Sequence, residues 1–410
     1  MSYLLPTYGR FPLTLVKGEG ARVWDDAGNS YLDFCAGIAT CSLGHCHPAL
    51  SGAIEKQAKT LMHCSNLYHI PQQELLAQKL VEDFVGRAGK VFFSNSGAEA
   101  NDGMIKTARK FGHAVPNSDG EARYEVITFG SSFHGRTLGS MAATAQAKIH
   151  EGFSPLLPGF KYVPFNDVEA LKAAVGKHTA AIMLEPIQGE GGVNAATREF
   201  LTTVAGLCEQ HDLLLMLDEI QCGIGRAGTR MGWQSICPEL QPDAVSFAKG
   251  LGGGFPIGAF YVSDRLVGDA PLSSLMGAGS HGSTYGGNPL ACSAALAVLG
   301  EVTTHALWEN AKKQGQRIKD TVMEWKKERK NSAVTEVRGE GLLLGFSLCA
   351  QSIQPEEGVT PALHLCKQLM AEGLLTVPAG PDTLRWLPPL NVSDEEVDEA
   401  LQIMCSVVCG

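Results

Sequence analysis

Short, largely apolar runs recur through the middle of this chain, at 91–94, 126–129, 180–184, 213–217, 245–248 and 258–262, with stretches of helical periodicity between them. Runs of this length closed by Gly-rich or polar turns read as interior strands. A strand–helix–strand rhythm implies crossovers of the kind that build a mostly parallel sheet. The expected class is α/β: a large domain around such a sheet, plus a smaller α+β domain built from both chain ends. Two of the runs end in a single charge. The run at 213–217 meets Asp218, and the one at 245–248 meets Lys249, which Gly250-Leu251-Gly252-Gly253-Gly254 follows. Open α/β sheets bind ligands at the carboxyl ends of their strands. A carboxylate and an amine so placed suit a cofactor with a basic ring nitrogen and an aldehyde, pyridoxal 5′-phosphate (PLP). The glycines lack the G-x-x-x-x-G-K-[ST] order of a nucleotide loop.

Size and charge narrow the field. At 410 residues the chain exceeds what one core usually supports, so two subdomains are expected. The division expected is an N-terminal segment at 1–58 belonging to the small domain, a large cofactor-binding domain at 59–296, and the rest of the small domain at 297–410. A net charge of −10 with no basic run argues against nucleic acid as a partner. No run has the apolar length of a membrane span, and no basic-then-apolar leader opens the sequence, so a cytoplasmic protein is expected. The twelve cysteines are irregularly spaced with no C-x-x-C, which favours reduced core thiols, Cys208, Cys349 and Cys366 among them. His45-Cys46-His47 with His63-Cys64 is the one candidate metal cluster. Its spacing is poor for structural zinc, and no metal is expected.

Asp25-Asp26-Ala27-Gly28-Asn29 signals a hairpin within 21–33, and helices are expected near 49–62 and 72–85. After the central sheet, helices are expected from Pro289 and over a basic stretch at 308–330. Shorter elements follow at 341–348, 361–372, 384–387 and 394–405.

Several motifs sit where chemistry is expected. After the run at 91–94, Ser96 with Glu99 three residues on has the pattern of a capping box. A capped helix start with Gly97 behind it is also a place for phosphate, held by the amides of Gly97 and Ala98. Phe133-His134-Gly135-Arg136 follows the run at 126–129. Phe133 either packs in the core or stacks on an aromatic ring, and Arg136 either meets a surface acid or clamps a carboxylate. Glu185 and Glu190 lie in a Gly-rich loop after a strand, and Gln221 lies three residues past Asp218. Arg385, in an apolar strand, needs an anionic partner, either substrate or an internal Glu.

In combination, LGHCHP (43–48), NSGAEAN (95–101), FHGR (133–136), EPIQGEGGV (185–193), LDEIQCGIGR (217–226), AKGLGGGFPIGA (248–259) and GSTYGGNPLAC (282–292) resemble one family. It is the subgroup of class-III PLP-dependent aminotransferases that includes the ornithine, acetylornithine and 4-aminobutyrate enzymes, and AGPDTLRWLPPL (379–390) leans toward the acetylornithine members. The resemblance implies PLP-dependent transferase fold type I. It implies Lys249 as covalent anchor and proton carrier, Asp218 at the ring nitrogen, Gln221 at the phenolic oxygen and Phe133 on the ring face. Gly97 and Ala98 would bind phosphate, joined by Thr284 of a neighbouring subunit, so a homodimer with shared sites is implied. Arg136 would hold the substrate carboxylate, with Ser283 among the substrate-binding residues. Arg385 would hold a carboxylate of 2-oxoglutarate and pair with Glu190 when that site is empty. Ile38 stands at about the place of an ornithine-enzyme Tyr, on the segment before GHCHP. An aliphatic side chain there suits an acylated α-amino group, which favours N2-acetylornithine, or a close N-acylated diamino acid such as the succinylated one, over ornithine as donor in a ping-pong reaction; the resemblance implies arginine biosynthesis as its setting. The alternatives are a 4-aminobutyrate, ornithine or other ω-amino acid aminotransferase and, more distantly, a PLP-dependent aminomutase.

Overall fold

The computed structural model describes residues 3–328 and 333–409. Near the N-terminus β1 (Leu15–Glu19), β2 (Arg22–Asp25) and β3 (Ser30–Asp33) form an antiparallel meander. The β2–β3 turn lies where the hairpin was expected, and the Asp25 carboxylate accepts from the Ala27 and Asn29 amides inside it. Next come α1 (Pro48–Ala58) and α2 (Pro71–Lys79). The single helix expected over 72–85 changes character, because Leu80–Val85 is a π-helical turn closed by left-handed Gly86.

The central sheet follows: β4 (Gly89–Ser94), α3 (Gly97–Ala114), β5 (Glu125–Phe129), β6 (Phe160–Val163), β7 (Thr179–Leu184), α4 (Arg198–Gln210), β8 (Leu214–Asp218), β9 (Ala244–Phe247) and β10 (Gly258–Ser263). Its seven strands lie in the order β4-β10-β9-β8-β7-β5-β6. The pairs from β9 through β6 are parallel, while β10 runs antiparallel to both neighbours. Every residue of β7, β8, β9 and β10 is buried, as continuous apolar strands covered on both faces should be. α3 lies on one face. Its Gly103 brings the helix so near the sheet that a Cβ there would sit 2.1 Å from the Phe260 ring.

α5 (Pro289–Thr304) and the basic α6 (Leu307–Glu328) lead away from this sheet. The last two residues of the helix expected to 330 lie outside the described residues. The C-terminal part contains β11 (Val334–Glu340), β12 (Leu343–Leu348), α7 (Pro361–Ala371), β13 (Leu374–Leu375), β14 (Val377–Pro378), β15 (Thr383–Trp386) and α8 (Asp394–Val408). It forms a four-stranded sheet, β11-β12-β15-β14, and lends β13 to the N-terminal meander, where it pairs in parallel with β3. The two chain ends are therefore joined through one sheet. Among the described residues no single helix is long and apolar enough to cross a membrane.

Candidate active site

Register brings the two charged strand ends together. In the β8–β9 pairing Asp218 lies level with Ser246, so Lys249 emerges three residues further along the neighbouring strand. Both line a cavity of about 420 Å³ with Gly97, Ala98, Phe133, Arg136, Glu185 and Gln221. Lys249 itself has a positive φ of 40°, an uncommon conformation for a residue with a side chain and one that tends to mark functional sites.

Asp218 is held from behind. Oδ2 accepts from Asn101 Nδ2 at 2.7 Å and from His134 Nδ1 at 2.8 Å, and Oδ1 accepts from the Ile220 amide at 3.1 Å. Burial opposes a charge on the His134 ring, but the contact with Asp218 outweighs it and raises the pKa. The imidazole and the amide thus fix the carboxylate's orientation. Neither Asn101 nor His134 stands out as a single residue in the sequence. Asn101 lies one helical turn beyond Gly97 on α3, and that spacing is the signal that could have placed it at the site.

At the start of α3, Ser96 Oγ accepts from the Glu99 amide, as a cap should. The reciprocal half of the expected capping box is displaced, because Glu99 accepts instead from the backbone and side-chain nitrogens of Asn95, at 2.6 and 2.9 Å. Among the described residues no acceptor meets the amides of Gly97 and Ala98, so they face the cavity as free donors. With the helix dipole behind them they make an anion site of the kind a phosphoester needs.

Lys249 is partly accessible along the cavity yet densely surrounded by protein, and this desolvation lowers its pKa against the opposing pull of Glu190. Arg385 is fully buried. Its Nη1 donates to Glu190 Oε1 at 2.8 Å and to Gln221 Oε1 at 2.6 Å. Gln221 Nε2 in turn donates to Glu190 at 3.3 Å. Burial pushes Glu190 upward, but the charges of Arg385 and Lys249 and these hydrogen bonds bring it down to about 2. Of the two partners open to Arg385 in the sequence, the internal Glu is the one present. Glu185 faces the same cavity, and burial raises it to about 7, although it accepts from the Phe133 and Gly189 amides. Arg136 is exposed, its guanidinium 5.7 Å from the Phe133 ring centre.

Three expected placements differ. Ser283, expected among the substrate-binding residues, lines a separate cavity with Asn66 and Gln73, and Thr284, expected to serve a neighbouring subunit's site, lines that same cavity. Ile38 is not on a strand: Ala36, Gly37, Ile38 and Ala39 all have positive φ, and Ile38 is exposed. Thr40, rather than Ile38, lines the main cavity. Asp33 shapes this left-handed turn by accepting from the amides of Cys35 and Ala36 at 3.0 and 2.9 Å, the local bonding of an Asx turn. Finally, Cys349 is half-exposed rather than a core thiol, and its thiol donates to Gln351 Oε1. In the His/Cys cluster, His45 is engaged by Asp33, Nε2 to Oδ2 at 2.8 Å.

Comparison with known proteins agrees with this geometry. Residues 3–408 match the family described as aminotransferase class-III. The chain is similar to the acetylornithine aminotransferase of Caldanaerobacter subterraneus subsp. tengcongensis, 49% identical over 99% of this chain and 97% of the relative. Among solved structures it resembles the N-acetylornithine aminotransferase of Stenotrophomonas maltophilia, with TM-score 0.79 and 38% identity over 98% and 96% of the two chains. It also resembles an ornithine aminotransferase from Toxoplasma gondii with PLP at partial occupancy in its active site. There the TM-score is 0.88 and the identity 31%, over 99% and 92% of the chains.

Proposed function

The chain belongs to the class-III aminotransferases, and from that premise we propose that it moves the terminal amino group of N2-acetylornithine to 2-oxoglutarate, with PLP as cofactor. One observation carries this: the Asp218 carboxylate and the Lys249 amine meet in one cavity with free amides for a phosphate, and its lining Gln221 hydrogen-bonds to both members of a Glu190–Arg385 pair behind it. The reading as N2-acetylornithine rather than ornithine is supported by the similarity to acetylornithine aminotransferases at 49% and 47% identity over nearly the whole chain.

PLP bound here supplies an electron sink for the carbon that loses a proton. The chain's own residues do the rest. The Gly97 and Ala98 amides hold the phosphate, and Phe133 packs on the ring face. Asp218, fixed by Asn101 and His134, keeps a negative charge at the ring nitrogen. Lys249 would hold the cofactor, and its Nζ would take the substrate's proton. Desolvation lowers its pKa in the direction a general base requires. Arg136, exposed at the mouth, binds the donor's carboxylate. Glu190 masks Arg385 while the monocarboxylate donor is bound and releases it for the second carboxylate of 2-oxoglutarate.

The working unit is a homodimer. Leu67, Tyr68 and Tyr285 are exposed around the cavity that Ser283 and Thr284 line, and such an apolar patch favours association. Each Thr284 then reaches the partner's phosphate site. A cytoplasmic setting and a place in arginine biosynthesis complete the reading.

Stopped-flow absorbance tests it. N-acetylornithine should bleach the cofactor's visible band and 2-oxoglutarate should restore it, with ornithine and 4-aminobutyrate much slower. Equal rates for all three donors would overturn the substrate, and an unchanged spectrum would overturn the reaction.

A further inference from the structure

The reaction above requires Glu190 to leave Arg385 and return, and the loop that carries Glu190 is seated on the C-terminal sheet. Ile187 and Gln188 pair antiparallel with Ala195 and Asn194, so residues 189–193 close a short hairpin. Inside it Asn194 Nδ2 donates to the Gly191 carbonyl at 2.8 Å. In the sheet, Arg338 of β11 lies opposite Gly345 of β12, and Gly345 lies opposite Arg385 of β15. Residues directly opposed across strands stand on one face. The row therefore reads arginine, notch, arginine, and the hairpin meets all three. Arg338 Nη2 donates to the Gly192 carbonyl at 2.7 Å and to Thr383 Oγ1 at 3.2 Å. Val193 fills the notch, since a Cβ on Gly345 would lie 2.6 Å from its own Cβ. It is fully buried there with a φ of 54°, a conformation a β-branched residue adopts only where its surroundings impose it. Arg385 Nη1 holds Glu190 Oε1 at 2.8 Å. Arg338 is half-buried and does not line the Lys249 cavity.

We propose that Arg338 is a positioning residue for the Glu190 switch: with the Gly345 notch it clamps the hairpin to the C-terminal sheet, so that the Glu190 side chain moves while its backbone stays. This rests on the exchange of partners between Glu190 and Arg385 proposed above. A hairpin free to drift would return Glu190 to Arg385 only part of the time, and each lost fraction weakens the masking of that guanidinium against a dicarboxylate. One nitrogen of Arg338 bridges the hairpin's carbonyl and Thr383, which lies two residues before Arg385 on the same strand. The clamp thereby ties Glu190 to the strand that carries its partner. At the surface, Glu336 holds Arg338 Nη1 at 3.1 Å and keeps the guanidinium turned to this task.

The test uses the full-length enzyme with PLP bound. The second-order rate constants with which glutamate and N-acetylornithine bleach the visible band are measured on one preparation, so any loss of folded protein cancels in their ratio. Arg338→Gln should raise the glutamate-to-N-acetylornithine ratio roughly threefold, while Arg338→Lys, which keeps a donor, should stay near wild type. Gly345→Ala, which pushes Val193 out of the notch, should move the ratio in the same direction. In the Glu190→Ala background Arg338→Gln should add nothing, because its effect runs through Glu190. Hydrogen exchange in peptides covering 186–196 should be roughly threefold faster in Arg338→Gln than in wild type. A wild-type ratio in Arg338→Gln beside a raised one in Glu190→Ala would overturn the proposal, as would a further shift in the double variant or unchanged exchange. Faster exchange with the ratio unmoved in both single variants would overturn the switch itself and reduce Arg338 to a structural clamp, so the two readings fail separately.

Discussion

Glu190 has to satisfy two opposite requirements at one position. Its carboxylate neutralises a fully buried guanidinium at 2.8 Å, yet it is itself partly exposed and able to leave. Replacing Glu190 by Ala leaves Arg385 bare in both half-reactions. The ratio of kcat/KM for glutamate to that for N-acetylornithine should rise roughly tenfold, the equivalent of about 1.4 kcal/mol from one charge-assisted contact. Steady-state kinetics on both donors checks this, and an unchanged ratio would remove the switch. His45 makes a pH prediction. Its folded pKa of about 10 lies above its ordinary 6.5, so its contribution to stability is complete below about pH 6.5 and disappears as pH rises through about 10. The melting temperature of His45→Gln should accordingly fall further below wild type at pH 6 than at pH 10.

At the scale of elements, the contact of α3 with β10 decides where the free amides of Gly97 and Ala98 point. Gly103 permits that contact, since Phe260 occupies the space a side chain would need. Gly103→Val should destabilise the protein by about 2 kcal/mol through overpacking. It should also weaken cofactor retention, because the helix start moves with the helix. Urea denaturation with and without PLP separates the two effects, and equal stability would show that the contact gives way freely. The antiparallel entry of β10 was not expected from the rhythm of runs. Its residues are as apolar as those of the parallel strands, and apolar content does not encode direction.

For the whole molecule, the separation of Thr284 from the Lys249 cavity predicts complementation between subunits. Lys249→Ala and Thr284→Val, each impaired alone, should regain activity when unfolded and refolded together. A mixed dimer contains one site with both native residues. No gain over the separate variants would exclude a shared site. The α/β class, the mostly parallel sheet and the Asp218–Lys249 pair were legible in the sequence for one reason. Continuous burial writes continuous apolar runs, and a charge that ends such a run stands at the carboxyl end of an interior strand. Contacts between residues far apart in the chain leave no such trace. Asn101 and His134 behind Asp218, and Gln221 against Arg385, each depend on segments brought together by folding. The sequence by itself determined which strands are interior and which charges stand at their ends, because both are local consequences of burial. Only the tertiary structure decided what those charges touch, because a hydrogen bond or ion pair is specified by distance, and distance between remote residues exists only once the sheet has closed.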